Sequence, residues 1–242
     1  MLIVQLAALL TLIFIHVFTA KMRFLDGTPR AWSLSVAGGV SVAYVFIHLL
    51  PNVAAAQEVV DFGFGGEALA EHDTWLVLLG GLLIFYGLDR LVHRDDHLGE
   101  DAADDDAAKH TAFWLHLATF SIYNMITGYL LVHRADESTR GLIFFTIAMT
   151  LHFIVSDYGL TKDYRRAWLT TARWVLVVAL TVGFVIGQVY ELSPVMLAII
   201  SAFLGGGTVL NVLREELPKE RKSRFSAFLL GVVGYSVVLV FA

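Results

Sequence analysis

Eight runs of roughly 20 apolar residues, each set off by a short charged or glycine-rich segment, constrain this chain more than anything else in it. They cover 2–20, 32–55, 74–92, 112–133, 141–161, 168–190, 194–214 and 223–242, numbered here as spans 1 to 8. A helix of that length crosses a hydrocarbon core of about 30 Å. Lipid offers backbone groups no hydrogen bonds, so only helices and closed barrels span it. These runs lack the in-and-out alternation of barrel strands. The expected fold is therefore all-α: a polytopic membrane protein with eight transmembrane helices, one domain over 1–242. Composition agrees, at 57% apolar and 16% charged, against about 45–50% and 25% in a soluble domain. Mean hydropathy is +0.69. The absence of cysteine excludes disulfides, thiolate metal ligands and a cysteine nucleophile.

Charge sorts by connection. The segments joining spans 1–2, 3–4, 5–6 and 7–8 hold 15 of the 17 lysines and arginines, and the opposite side holds only Arg134 and Arg140. By the positive-inside rule the rich side is cytoplasmic, which puts both termini outside, in a cytoplasmic (plasma) membrane. Span 1 lacks the leading basic residues of a secretory signal and is read as a retained helix. The 3–4 connection, His93 to His110, is acidic and bears His93, His97 and His110. A solvated linker is expected there, since like charges repel and build no core; the alternative is a loop that gathers divalent cations loosely from the cytosol.

Polar residues at membrane depth mark function or a buried pairing. Span 4 carries His116, Thr119, Tyr123 and Thr127 along one helical stripe, with Asn124 at its edge. Span 5 carries His152, Ser156 and Asp157. Joined by a short turn, the two spans place Asn124 and His152 at similar depth, which suggests a shared site. His16 and His116, nearer the ends of their spans, are expected to be satisfied by neighbouring helices. The glycines at 38–39, 80–81, 205–207, 231 and 234 are expected to serve close helix packing.

Two fragments relate the halves of the chain: IHLLPN at Ile47–Asn52 and REELPK at Arg214–Lys219. Each closes a span with a polar residue, leucine and proline, one on each side of the membrane. Spans 1–3 and 6–8 then form two three-helix units in opposite orientation around spans 4 and 5, a 3+2+3 inverted repeat of the kind transporters use. With the acidic 3–4 connection and the stretch SAFLGGGTVLNVLREELP, the pattern resembles the ZIP family of divalent-metal transporters over nearly the whole chain.

The resemblance implies a metal site on spans 4 and 5. Helix 4 of that family carries His-Asn-x-x-Asp/Glu-Gly, which falls on Tyr123 to Gly128: Asn124 and Gly128 match, Tyr123 replaces the histidine and Thr127 the carboxylate. The helix 5 motif, His-Glu-x-Pro-His-Glu, falls on His152 to Asp157: His152 matches and Asp157 stands for the final acid, while Phe153, Val155 and Ser156 replace other members. His48 and Pro51 are kept in span 2, with Asn52 where glutamate is usual. The implied ligands are Asn124, His152 and Asp157, with Tyr123, Thr127, Ser156 and His48 as weak or outlying members. The implied activity is carriage of a divalent metal, zinc, iron or manganese, as substrate through a reduced site. The alternative is a ZIP-like membrane protein that has lost transport and serves a structural or regulatory role. Enzyme chemistry is not expected: there is no HExxH, no GxSxG and no pair of intramembrane carboxylates. The expected partners are membrane lipid and the metal ion, a homodimer is allowed, and nucleic acid is not expected.

Overall fold

The computed structural model describes residues 1–22, 32–59, 72–92, 105–163, 165–216 and 224–241. Among the described residues the chain is all-helical, and its eight helices follow the eight apolar runs. They are α1 (Leu2–Phe18), α2 (Trp32–Tyr44, a π turn Val45–Leu49, then Leu50–Val59), α3 (Asp73–Val92) and α4 (Asp105–Glu137). Then come α5 (Thr139–Asp163), α6 (Arg165–Ala167, a π turn Trp168–Ala172, then Arg173–Val189), α7 (Pro194–Glu216) and α8 (Phe225–Phe241). Five stretches, in α1, α2, α4, α5 and α6, are long and apolar enough to cross a membrane; α3, α7 and α8 contribute shorter apolar helices. Large apolar side chains such as Ile3, Leu10, Phe14, Val178 and Phe241 face outward. Such a surface fits an integral membrane protein, in which lipid meets the faces that water would reject.

Two elements depart from the expected boundaries. The HLLP fragment does not close α2: the helix runs on through Pro51 to Val59. Pro51 has no N–H to give the carbonyl four residues back, and the π turn just before it loosens the helix where that bond is lost. α4 begins at Asp105, inside the stretch expected to be linker. The rest of the acidic segment, 93–104, lies outside the described residues, as does 217–223, which holds the second half of the REELPK fragment. Only Ser138 separates α4 from α5; its hydroxyl accepts the Gly141 N–H at 2.9 Å as an N-cap. Ser193 caps α7 in the same way, with Pro194 at the first helical position.

Contacts fix the helix directions. Met1 lies by Thr139 and His16 by Asp157, so α1 and α5 are parallel. Gln5 meets the Val132 carbonyl and His16 meets Asn124, so α1 and α4 are antiparallel. Gly183 abuts Met125, and Gly187 abuts Tyr129 and Val132, which makes α4 and α6 parallel. Gly81 against Phe203 and Gly207 against Phe85 make α3 and α7 parallel. Tyr129 reaches Leu192 while Tyr123 reaches Thr208, so α4 and α7 are antiparallel. Leu34 packs with Val155 and Tyr44 with Phe145, which sets α2 against α5. Thus α1, α3, α5 and α7 run one way and α2, α4 and α6 the other.

Three helix pairs, α2–α8, α3–α7 and α4–α6, meet through glycine. A Cβ on Gly39 would strike the Phe228 carbonyl, and one on Gly231 the Val36 carbonyl. Gly81 and Gly206 stand in the same relation to Phe203 and Leu78, and Gly128 and Gly183 to Leu180 and Met125. Backbone approaches backbone at each crossing, as expected for Gly39, Gly81, Gly206 and Gly231, whereas Gly80 and Gly234, expected to pack likewise, have open space within 4 Å.

Candidate functional site

Near the end of α1, His16 bridges two other helices. Its Nδ1 lies 2.8 Å from Asp157 Oδ2 on α5, and its Nε2 lies 2.7 Å from Asn124 Oδ1 on α4. The three residues are at most 1% exposed. The hydrogen-bond inventory fixes most of the protons. Asn124 Nδ2 donates to the Phe120 carbonyl at 2.8 Å, which turns Oδ1 towards His16. An amide oxygen only accepts, so Nε2 carries hydrogen and donates. A second proton lies between Nδ1 and Asp157 Oδ2. Whichever atom holds that proton, the His16–Asp157 pair is neutral as a unit. The Phe153 ring, centred 4.6 Å from that of His16, covers the pair.

Of the expected ligands, Asn124 and Asp157 thus meet through a residue of α1. His152 is buried at 3% exposure, its ring 5.6 Å from that of Tyr123 and 6.0 Å from that of Phe153. Five residues of α-helix turn the chain by about 140° beyond a full circle, so Asp157 and His152 leave α5 in different directions. His152 and Ser156, four apart, share a face. The hydroxyls expected as weak donors are bonded within their own helices. Thr127 donates to the Tyr123 carbonyl at 2.9 Å and Ser156 to the His152 carbonyl at 3.0 Å. Each keeps oxygen lone pairs, but its proton is spent locally. Tyr123 carries its hydroxyl across to α7, 2.9 Å from Thr208 Oγ1.

Above this polar layer lies a cavity of about 450 Å³ between α2, α4, α5 and α7, walled by Tyr44, Asn52, Leu130, Phe145, Ser201 and Thr208 among others. None of the described residues that line it is charged. His48, expected near an outer entrance, is half-buried with its ring 5.1 Å from that of Tyr44. The side chain of His116 lies outside the described residues. At the other end of α1, Gln5 accepts from Gln188 Nε2 at 2.9 Å and approaches the Val132 carbonyl, which ties α1, α4 and α6 together.

His16 is satisfied by neighbouring helices, as expected, but the neighbours are two of the candidate ligands. Its signal in the sequence was an ionisable residue within an apolar run; the identity of its partners, 108 and 141 residues away, was not encoded locally. Thr208 carried no signal beyond the glycines before it. Among the described residues no group of three or more His, Cys, Asp or Glu side chains is arranged to hold a metal ion. The buried cluster combines one imidazole, one carboxyl and one amide, with a second imidazole further along α5. Compared with known proteins, the chain matches no family model and no curated protein sequence.

Proposed function

We propose that this chain is a ZIP-like carrier of a divalent metal cation of the zinc, iron or manganese class, working through a reduced site between α4 and α5. The observation that carries the reading is the cluster of His16, Asn124 and Asp157, buried where three apolar helices cross, with His152 in the same layer. Ionisable groups at that depth are costly unless used or paired. Asn124, His152 and Asp157 are the proposed ligands, with Tyr123, Thr127 and Ser156 as weak oxygen donors and His48 nearer the entrance. His16 is an added nitrogen donor. A metal taking Asp157 and His16 Nδ1 displaces the proton the two share, since thiolate-free sites bind through deprotonated nitrogen and oxygen.

The 3+2+3 inverted repeat belongs to the same proposal, and the helix pairing supports it. Exchanging α1, α2 and α3 for α6, α7 and α8, and α4 for α5, carries the α2–α8 contact onto α7–α3. It also carries α1–α5 onto α6–α4. All four are contacts of the bundle. Inverted repeats of this kind rock about a midplane site in carriers. The charge bias of the connections supports both termini outside, and residence in the plasma membrane belongs to the same proposal.

One observation favours a second reading. The hydrogen bonds of His16, Asn124 and Asp157 close on one another, as they would in a polar lock that only fixes α1, α4 and α5. Flux decides between them. Purified protein in liposomes is expected to admit at least one of zinc, manganese, iron and cadmium, and the His152→Ala/Asp157→Ala variant to admit none. No flux of any metal, or flux untouched by the double substitution, leaves the structural reading in place.

A further inference from the structure

Tyr123 separates two parts of the molecule that a path must join. Its hydroxyl, 2.9 Å from Thr208 Oγ1 and 3.8 Å from Met149 Sδ, points at residues that line the cavity. Its ring turns towards the buried cluster, 5.6 Å from His152 and 6.1 Å from Phe153, the ring that covers His16. The two hydroxyls share a hydrogen bond, and Thr208 Oγ1 also reaches the Leu204 carbonyl at 2.9 Å.

We infer that the Tyr123–Thr208 hydrogen bond is a gate: it closes the deep end of the cavity against the layer of His152, Asn124, His16 and Asp157. Breaking it admits water and a hydrated cation to that layer. The inference rests on the carrier reading for its cargo. The mobile partner is Thr208. The Tyr123 ring is boxed by His152, by Phe153 and by Phe85, which meets it edge-on at 6.2 Å. Opening is therefore a displacement of Thr208 with α7 rather than a swing of the ring. α7 forms the cavity wall from Pro194 to Thr208, so one shift of that helix moves both wall and latch. A Cβ on Gly207 would come within 2.7 Å of the Phe85 ring, so the glycines before Thr208 set α7 close enough for the latch to reach.

The native chain has no cysteine, so one introduced thiol reports one position. Ser201→Cys places it in the cavity wall. Ser156→Cys places it beyond the latch, on the face of α5 that carries Met149 and about 10 Å further along. The full chain in lipid nanodiscs is treated with a charged, membrane-impermeant methanethiosulfonate. Ser201→Cys is expected to react readily and Ser156→Cys slowly. Adding Tyr123→Phe, or separately Thr208→Val, is expected to speed Ser156→Cys by about three- to tenfold, the shift that one net hydrogen bond supplies. Ser201→Cys should keep its rate, which also shows that the variants remain folded. The gate is overturned if Ser156→Cys reacts as fast as Ser201→Cys in the parent, if neither latch variant changes its rate, or if Ser201→Cys is unreactive. Labelling reads water access rather than metal, so faster Ser156→Cys labelling without flux of any cation supports the gate and removes only the carrier reading.

Discussion

Asp157 and His16 balance each other in a place where neither could stand alone. Removing one partner of a buried pair leaves an uncompensated polar group, at a typical cost of about 3–5 kcal/mol. His16→Ala and Asp157→Ala are each expected to destabilise the protein by about that much, in a detergent unfolding titration followed by circular dichroism. The double variant should lose less than the sum, because the second deletion removes the group that the first stranded. Additive losses would mean that the 2.8 Å contact does not couple them. His152→Ala leaves that pair intact. It is expected to cost less stability than either single variant while abolishing the proposed metal flux, so that the residue's place in the proposed site separates from its place in the fold. Asn124, His152 and Asp157 could be picked out from the sequence because polar groups within apolar runs are conspicuous. That Asn124 and Asp157 share His16, while His152 faces Tyr123, could not, since a helix carries no record of which distant helix it will meet.

At the scale of elements, glycine decides which helices touch. Gly183 lies so close to α4 that a methyl group would collide with the Met125 backbone, whereas Gly80 has open space within 4 Å. Gly183→Ala is expected to destabilise the protein by about 1–3 kcal/mol, as overpacking does, and to separate α4 from α6. Gly80→Ala should be neutral or stabilising by up to about 1 kcal/mol through helix propensity. Equal effects in the same unfolding assay would refute the close crossing. The packing role was legible in sequence for Gly39, Gly81, Gly206 and Gly231, but not for Gly128 or Gly183, and the expectation fails at Gly80 and Gly234; which helices pair was not legible at all. The end of α2 shows the converse. A proline reads as a stop when only local bonds are considered, yet the π turn Val45–Leu49 absorbs the lost donor and the helix continues.

Across the whole molecule, the antiparallel sense of successive helices fixes where the connections lie. Arg140, at the start of α5, and Arg166, at the start of α6, are both exposed and stand at opposite ends of α5. In intact cells Arg140→Cys is expected to react with an impermeant thiol reagent, and Arg166→Cys only after permeabilisation. Labelling of both from the same side would refute the crossing of α5 and the proposed orientation. By itself the sequence determined the helical class, the number of apolar runs, the expected sidedness and the presence of polar groups at depth. Each of those depends on quantities summed along the chain: the length of a hydrophobic run, the charge of a connection, the cost of an ionisable group in hydrocarbon. Only the tertiary structure decided that His16 joins Asn124 to Asp157, that Tyr123 latches onto Thr208, and which glycine-bearing helices meet. Those depend on side chains from separate helices reaching within 3 Å, and on backbones close enough to exclude a methyl group, which no one-dimensional pattern specifies.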